Sequence, residues 1–118
     1  MFQLGGHARP PALLAFFASL LNSPDVDIRR SAASGLRGIG TTASIKPLAS
    51  VLHDSDPTVR YYAASGLALI AGGPGSLMSM AYFQQHEQEE TARWEAWSKQ
   101  ADTPPRGTRA AFEVGTVR

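Results

Sequence analysis

A chain of 118 residues and 12.6 kDa is long enough for one domain with a modest core. Its 43% hydrophobic and 18% charged residues are ordinary globular values and exclude a chain kept disordered by its charges. Since 11 Lys and Arg oppose 10 Asp and Glu, the net charge of +1 gives no field favouring nucleic acid or an acidic membrane. The absence of cysteine excludes disulfides, thiolate nucleophiles and thiolate metal ligands.

An internal repeat is the most informative feature of the sequence. Residues 20–39 and 51–70 superimpose on a shift of 31 residues and share the run Ala-Ala-Ser-Gly-Leu. A period in this range is typical of a solenoid, in which each unit buries its apolar face against its neighbours. The sequence therefore predicts an all-α fold, a short α-solenoid of about two and a half antiparallel helix pairs.

Each of the first two units predicts two helices joined by a polar turn. The first helices carry one apolar stripe each, formed by Leu13, Phe17, Leu20 and Leu21 in one unit and by Ile45, Leu48, Val51 and Leu52 in the next. Asp56 is placed to cap the second helix of its unit, with Pro57 as the first helical residue. Gly40 and Gly72-Gly73 are placed to end the second helices. Small residues in the middle of these helices would let neighbouring helices approach closely.

The repeat decays after residue 72. The segment with Leu77, Met78, Met80, Ala81 and Phe83 is a candidate first helix of a third unit, and residues 84–99 predict a final amphipathic helix. Trp94 and Trp97 lie one turn apart and are expected to cover the last exposed core surface. The chain divides into an N-terminal extension (1–11), a repeat domain (12–100, with units 12–40, 43–72 and a degenerate 73–100) and an irregular, disordered tail (101–118).

The apolar run of residues 12–21 has a second interpretation, the hydrophobic region of a signal peptide. No convincing small-residue cleavage site follows it, and its alignment with the first helix of the second unit explains it better. Ten residues are also too few to span a bilayer as a helix. We therefore expect a cytoplasmic protein with no membrane partner.

The repeated motif resembles HEAT repeats. The resemblance rests on two segments, Asp-Ser-Asp-Pro-Thr-Val-Arg at residues 54–60 and Asp-Val-Asp-Ile-Arg at residues 25–29, each followed by the shared run. They are most similar to the short bacterial and cyanobacterial type, also called lyase-like (PBS-lyase) HEAT repeats. The resemblance is strong over residues 12–72 and loose over 73–100. It implies that aspartates before the second helix and an arginine within it form an interior ladder between units, here Asp25 or Asp27 with Arg29 and Asp54 or Asp56 with Arg60.

Helical spacing supports a structural role for these arginines. Arg60, Ala64 and Leu67 lie at i, i+4 and i+7, so the arginine stem borders the apolar stripe and its head group is best satisfied by nearby carboxylates. A different face of the second helices is the candidate partner-binding surface, because second helices line the concave side of stacked pairs. Its arginines and tyrosines match the composition of interface hot spots, and a merely solvated face is the open alternative. The candidate residues are Arg30, Ser34, Arg37, Tyr61, Tyr62 and Ser65.

Enzyme chemistry finds little support in the sequence. His53 and Asp54 occupy an interhelical turn without a candidate nucleophile, so we predict no catalytic residues. His86, Glu87, Glu89 and Glu90 lack converging ligands from elsewhere, so we predict no metal site and no cofactor. Acidic residues at a helix start instead suit the helix dipole.

Three functions remain as hypotheses. The first is a non-catalytic scaffold that binds a protein partner on its concave face. The second, implied only by the resemblance, is an accessory role in attaching or detaching bilin chromophores. The third, nucleic-acid binding, would require salt-dependent retention on DNA and is not expected here. Because about three repeats are needed for independent stability, self-association or membership of a longer solenoid stays open.

Overall fold

The computed structural model describes residues 11–73 and 76–102, with residue 102 described by its backbone only. This part of the chain is all-α. Its elements are α1 (Pro11–Leu20), α2 (Val26–Ile39), a 3-10 turn (Thr42–Ser44), α3 (Ile45–Ala49), α4 (Pro57–Gly72), α5 (Met80–Gln85) and α6 (Glu87–Asp102). The predicted extension of residues 1–11, apart from Pro11, lies outside the described residues. So does the predicted tail beyond Asp102, whereas its first two positions, 101 and 102, belong to α6.

The long second helices begin and end where the sequence predicts. The Asp56 side chain accepts a hydrogen bond from the Val59 backbone N–H, and Pro57 is the first residue of α4. Asp25 caps α2 by accepting from the Asp27 backbone N–H. At the other end of α2, Gly40 adopts φ +64°, a left-handed conformation that favours glycine, and its N–H donates to the Leu36 carbonyl.

The helices stack as an α-solenoid, which confirms the predicted fold class. Within each of the first two units the helices pack in pairs, α1 on α2 and α3 on α4, and α2 packs on α4 between the units. The continuous core between them includes Leu36, Leu48, Leu52, Val59 and Leu67, all of which are fully buried or nearly so. Burial of one shared apolar face is therefore what holds the two units together.

A glycine in each second helix lets the first helix of the same unit come close. A Cβ atom at Gly35 would lie 2.7 Å from the Phe17 ring, and one at Gly66 would lie 2.8 Å from Leu48 Cδ1. Phe17 and Leu48 are themselves 31 residues apart, so the same close contact recurs in both units. This confirms the packing reason proposed for the small residues.

The third unit departs from the prediction in its helix boundaries. Leu77 and Met78 precede the helix, because Ser79 caps α5 by accepting from the Tyr82 backbone N–H. The final helix begins at Glu87 rather than at residue 84. It packs against both helices of the second unit, α3 and α4. Its half-buried tryptophans pack on the core with their rings 5.7 Å apart, as the covering role predicts.

Candidate functional site

Arg29 connects the first unit to the second. Its guanidinium donates to both carboxylate oxygens of Asp54, from Nε to Oδ2 at 3.1 Å and from Nη2 to Oδ1 at 3.2 Å. A third bond runs from Nη1 to the Ser23 carbonyl at 3.0 Å. Both charged side chains are largely buried, and this forked geometry satisfies an arginine well.

Arg60 repeats this arrangement between the second unit and the third. Its Nη1 donates to the Asp54 carbonyl at 2.9 Å, as Arg29 does to Ser23, and its Nε pairs with Glu87 at the start of α6. Sequence reasoning assigned Glu87 only to a solvated helix start. The repeat alone does not give this pair, because the 31-residue shift carries Asp54, the partner of Arg29, onto Gln85, whereas Glu87 is the equivalent of Asp56, the partner of Arg30.

The predicted carboxylates of the ladder therefore need a correction. Asp25 forms the N-cap of α2, and the contact of Asp27 is with Arg30 at 3.5 Å, not with Arg29. The Asp54 carboxylate binds Arg29 of the preceding unit. Arg60 donates to Asp54 only at its backbone carbonyl. The Arg29–Asp54 pair runs between units because Asp54, in the turn before α4, faces α2 of the unit before it.

Arg30 also belongs to this inter-unit network, although 42% of its side chain stays exposed. Its Nε and Nη2 donate to Asp56 at 3.0 and 2.8 Å. The hydrogen bond from Arg30, helped by the Val59 N–H, lowers the pKa of Asp56 to about 2 although burial opposes the shift. The same hydrogen bond raises the pKa of the Arg30 guanidinium.

Ser65 cannot contact a partner in this structure. It is 0% exposed in the middle of α4, whereas Ser34, at the equivalent position of α2, is exposed. Tyr61 is half-buried, and its hydroxyl donates to the Met78 carbonyl at 2.5 Å while its ring contacts Phe83. The chain after α4 thus returns to the face that carries Tyr61, which sequence periodicity alone could not reveal.

Besides Arg30, three of the six predicted partner-binding residues are accessible. Ser34 is exposed, and Arg37 and Tyr62 are half-buried. Arg37 Cζ lies 5.5 Å from the centroid of the Tyr62 ring and 5.7 Å from that of Tyr61, the range of a cation–π contact. We call Ser34, Arg37 and Tyr62 the Arg37 surface.

A family model for HEAT repeats matches residues 6–98, which is most of the chain. The chain belongs to the HEAT-repeat family. Comparison with curated proteins gave no significant match, and neither did comparison with solved structures. The closer resemblance to the lyase-like type stays a prediction.

The polar side chains considered for enzyme or metal chemistry are engaged separately in this HEAT protein. His53 Nε2 lies 3.1 Å from Glu95 Oε1 on an exposed surface. His86 stacks on Tyr82 with the ring centroids 4.2 Å apart. Glu90 is 3% exposed and accepts hydrogen bonds from Trp94 Nε1 at 2.9 Å and from the Tyr82 hydroxyl at 3.3 Å. Across residues 11–73 and 76–102, no three His, Asp or Glu side chains converge as metal ligands.

Among the helices in the described ranges, none has the length and apolar character needed to cross a bilayer.

Proposed function

We propose that this chain is a non-catalytic HEAT scaffold that binds a protein partner through the Arg37 surface. Helical repeat proteins of this family typically serve protein interaction, and their stacked units present side chains from successive second helices as one surface. Here Ser34 and Arg37 come from α2 and Tyr62 comes from α4. A partner on this surface would contact two units at once.

The observation that carries the proposal is the placement of Arg37. Unlike Arg29, Arg30 and Arg60, which bind carboxylates, Arg37 has its guanidinium over two tyrosine rings. Arginine and tyrosine dominate interface hot spots because they combine apolar area with hydrogen-bond donors. Stacking on the rings also holds the guanidinium in place, which reduces the entropy that a partner's carboxylate would have to offset on binding.

Site-specific crosslinking tests this proposal directly. A photoreactive amino acid replaces Ser34, which is exposed, and in a matched chain it replaces Ala96, which is exposed on α6. After irradiation in cells, we expect a protein that crosslinks at position 34 and not at position 96. Arg37→Glu should abolish this crosslink, because it reverses the charge that the partner meets.

Arg93→Glu is the control for the charge change. Arg93 is 64% exposed and lies over the Trp94 ring at 5.9 Å, so it shares the ring contact of Arg37, but it also lies 3.8 Å from Glu90 and its place on α6 is different. This variant should leave the crosslink unchanged. A crosslink that survives Arg37→Glu in a folded chain would contradict the proposal.

The bilin-related role stays a separate hypothesis, based only on the resemblance to lyase-like repeats. Mixing the purified protein with a free bilin distinguishes the two. A shift of the bilin absorption band would favour the accessory role, and an unchanged spectrum together with the position-34 crosslink would favour the scaffold.

A further inference from the structure

The first unit has one neighbour in the described structure and the second unit has two, and this difference exposes one end of the solenoid. The second unit packs against α2 on one side and α6 on the other. The first unit packs against the second through α2, so its opposite side is the one left uncovered among the described residues. The 31-residue equivalence then shows, position by position, what such a side binds when it is covered.

The charged positions differ first. Asp56 receives two hydrogen bonds from Arg30 of the preceding unit, and Asp25 is its equivalent in the first unit. Asp25 is exposed, and its carboxylate accepts from the Asp27 backbone N–H. Within residues 11–73 and 76–102, no arginine or lysine forms an ion pair with Asp25. The carboxylate at this position therefore binds an arginine in the second unit and has no arginine partner among the described residues in the first unit.

The apolar positions differ in the same way. Val59 of α4 is 0% exposed, whereas its equivalent in α2, Ile28, is 39% exposed. Ile45 and Leu48 of α3 are buried, but α1 contains no buried residue at all. Because the second unit already covers the other side of α2, the exposure of Ile28 arises on the uncovered side.

From this equivalence we propose that the end face formed by Asp25, Ile28 and α1 is a second docking surface. Its occupant is a helix pair of HEAT type supplied by a partner protein, with an arginine at the position equivalent to Arg30 that binds Asp25. The charge pattern selects such an occupant, because among the described residues Asp25 has no counterpart of the arginine that Asp56 binds. The apolar pattern agrees, because Ile28 lacks the cover that Val59 has.

An extended chain tests the proposal by placing a HEAT helix pair on the end face within one molecule. A copy of residues 12–42 is inserted before residue 12 of the full chain, which keeps the 31-residue spacing and places the copy's arginine opposite Asp25. The copy should raise the midpoint of thermal unfolding by about 5 °C or more, as an added repeat interface does. Replacing the copy's equivalent of Arg30 by alanine, Asp25 by alanine, and both together should give a coupling of about threefold or more in the unfolding constant.

Two alternative occupants of the end face, residues 1–10 and a second copy of the chain, are tested in the parent chain. Deletion of residues 1–10 should leave the unfolding midpoint unchanged within about 2 °C, and a larger loss would assign the face to those residues. Sedimentation should show a monomer, and a dimer dissolved by Ile28→Glu would assign it to a second copy. Either result would overturn the proposal.

A matched pair of substitutions keeps the proposal testable if the extended chain does not fold. Ile28→Glu in the parent should be tolerated, whereas Val59→Glu places the same charge in a fully buried position and should abolish folding. Loss of folding by Ile28→Glu would show that the face is already covered and would refute the proposal. Absence of coupling in a folded extended chain would do the same.

Discussion

Helices α2 and α4 share a five-residue run and a 31-residue equivalence, yet their surroundings differ. Ser34 is exposed in α2 and Ser65 is fully buried in α4. α4 has a neighbouring unit on both sides, whereas α2 has one on a single side among the described residues. Identical local sequence therefore sets the helix, and position in the stack sets which of its faces a partner can reach.

The largest expected contrast comes from the same substitution at the two serines. Ser65→Leu forces three additional carbon atoms into a packed interior and should lower the free energy of unfolding by about 1 to 3 kcal/mol. Ser34→Leu, at an exposed position, should change it by less than about 0.5 kcal/mol. Chemical denaturation of both variants measures the difference. Equal losses would mean that α2 and α4 are equally enclosed, contrary to the structure.

The comparison between α2 and α4 extends to their N-caps, because the ionised Asp56 cap of α4 should make the stability of the fold depend on pH. Because the folded-state pKa of Asp56 is about 2, below its usual unfolded value of about 3.9, ionised Asp56 stabilises the fold above about pH 4. This contribution, about 2 to 3 kcal/mol, should be lost as the pH falls from about 4 to about 2. Unfolding measured across this range should show a shallower pH dependence in both Asp56→Asn and Arg30→Ala. A slope unchanged by either variant would count against the inter-unit pair.

The smallest expected effects come from two glycine substitutions that should change stability in opposite directions. Gly66→Ala places a Cβ atom 2.8 Å from Leu48 Cδ1 and 3.3 Å from Arg37 Cβ, so it should cost about 1 kcal/mol despite better helix propensity. Gly38→Ala meets no atom within 4 Å and should stabilise α2 by about 0.5 kcal/mol. Thermal melts that shift in the same direction for both would contradict the close approach of α3 and α4.

The repeat made the fold predictable from the sequence, and the reason is physical. A recurring apolar stripe with Asp56 and Pro57 at a helix start leaves few alternatives to stacked helix pairs. The candidate site was less predictable, because helical periodicity places Arg30 and Ser65 on a face without specifying what covers that face. The partner of Arg30 lies 26 residues away. The return of the chain toward Tyr61 depends on a segment that has no repeat equivalent.

The structure places the buried charged pairs between consecutive units rather than within one unit, and a pair of double-mutant cycles tests this placement most directly. For Arg29 and Asp54, which lie in different units, alanine substitutions should show a coupling of about 1 to 3 kcal/mol in the free energy of unfolding. For Arg29 and Asp25, which lie in the same unit, the coupling should be below about 0.5 kcal/mol. Strong coupling to Asp25 with none to Asp54 would contradict the account, since the ladder would then lie within units.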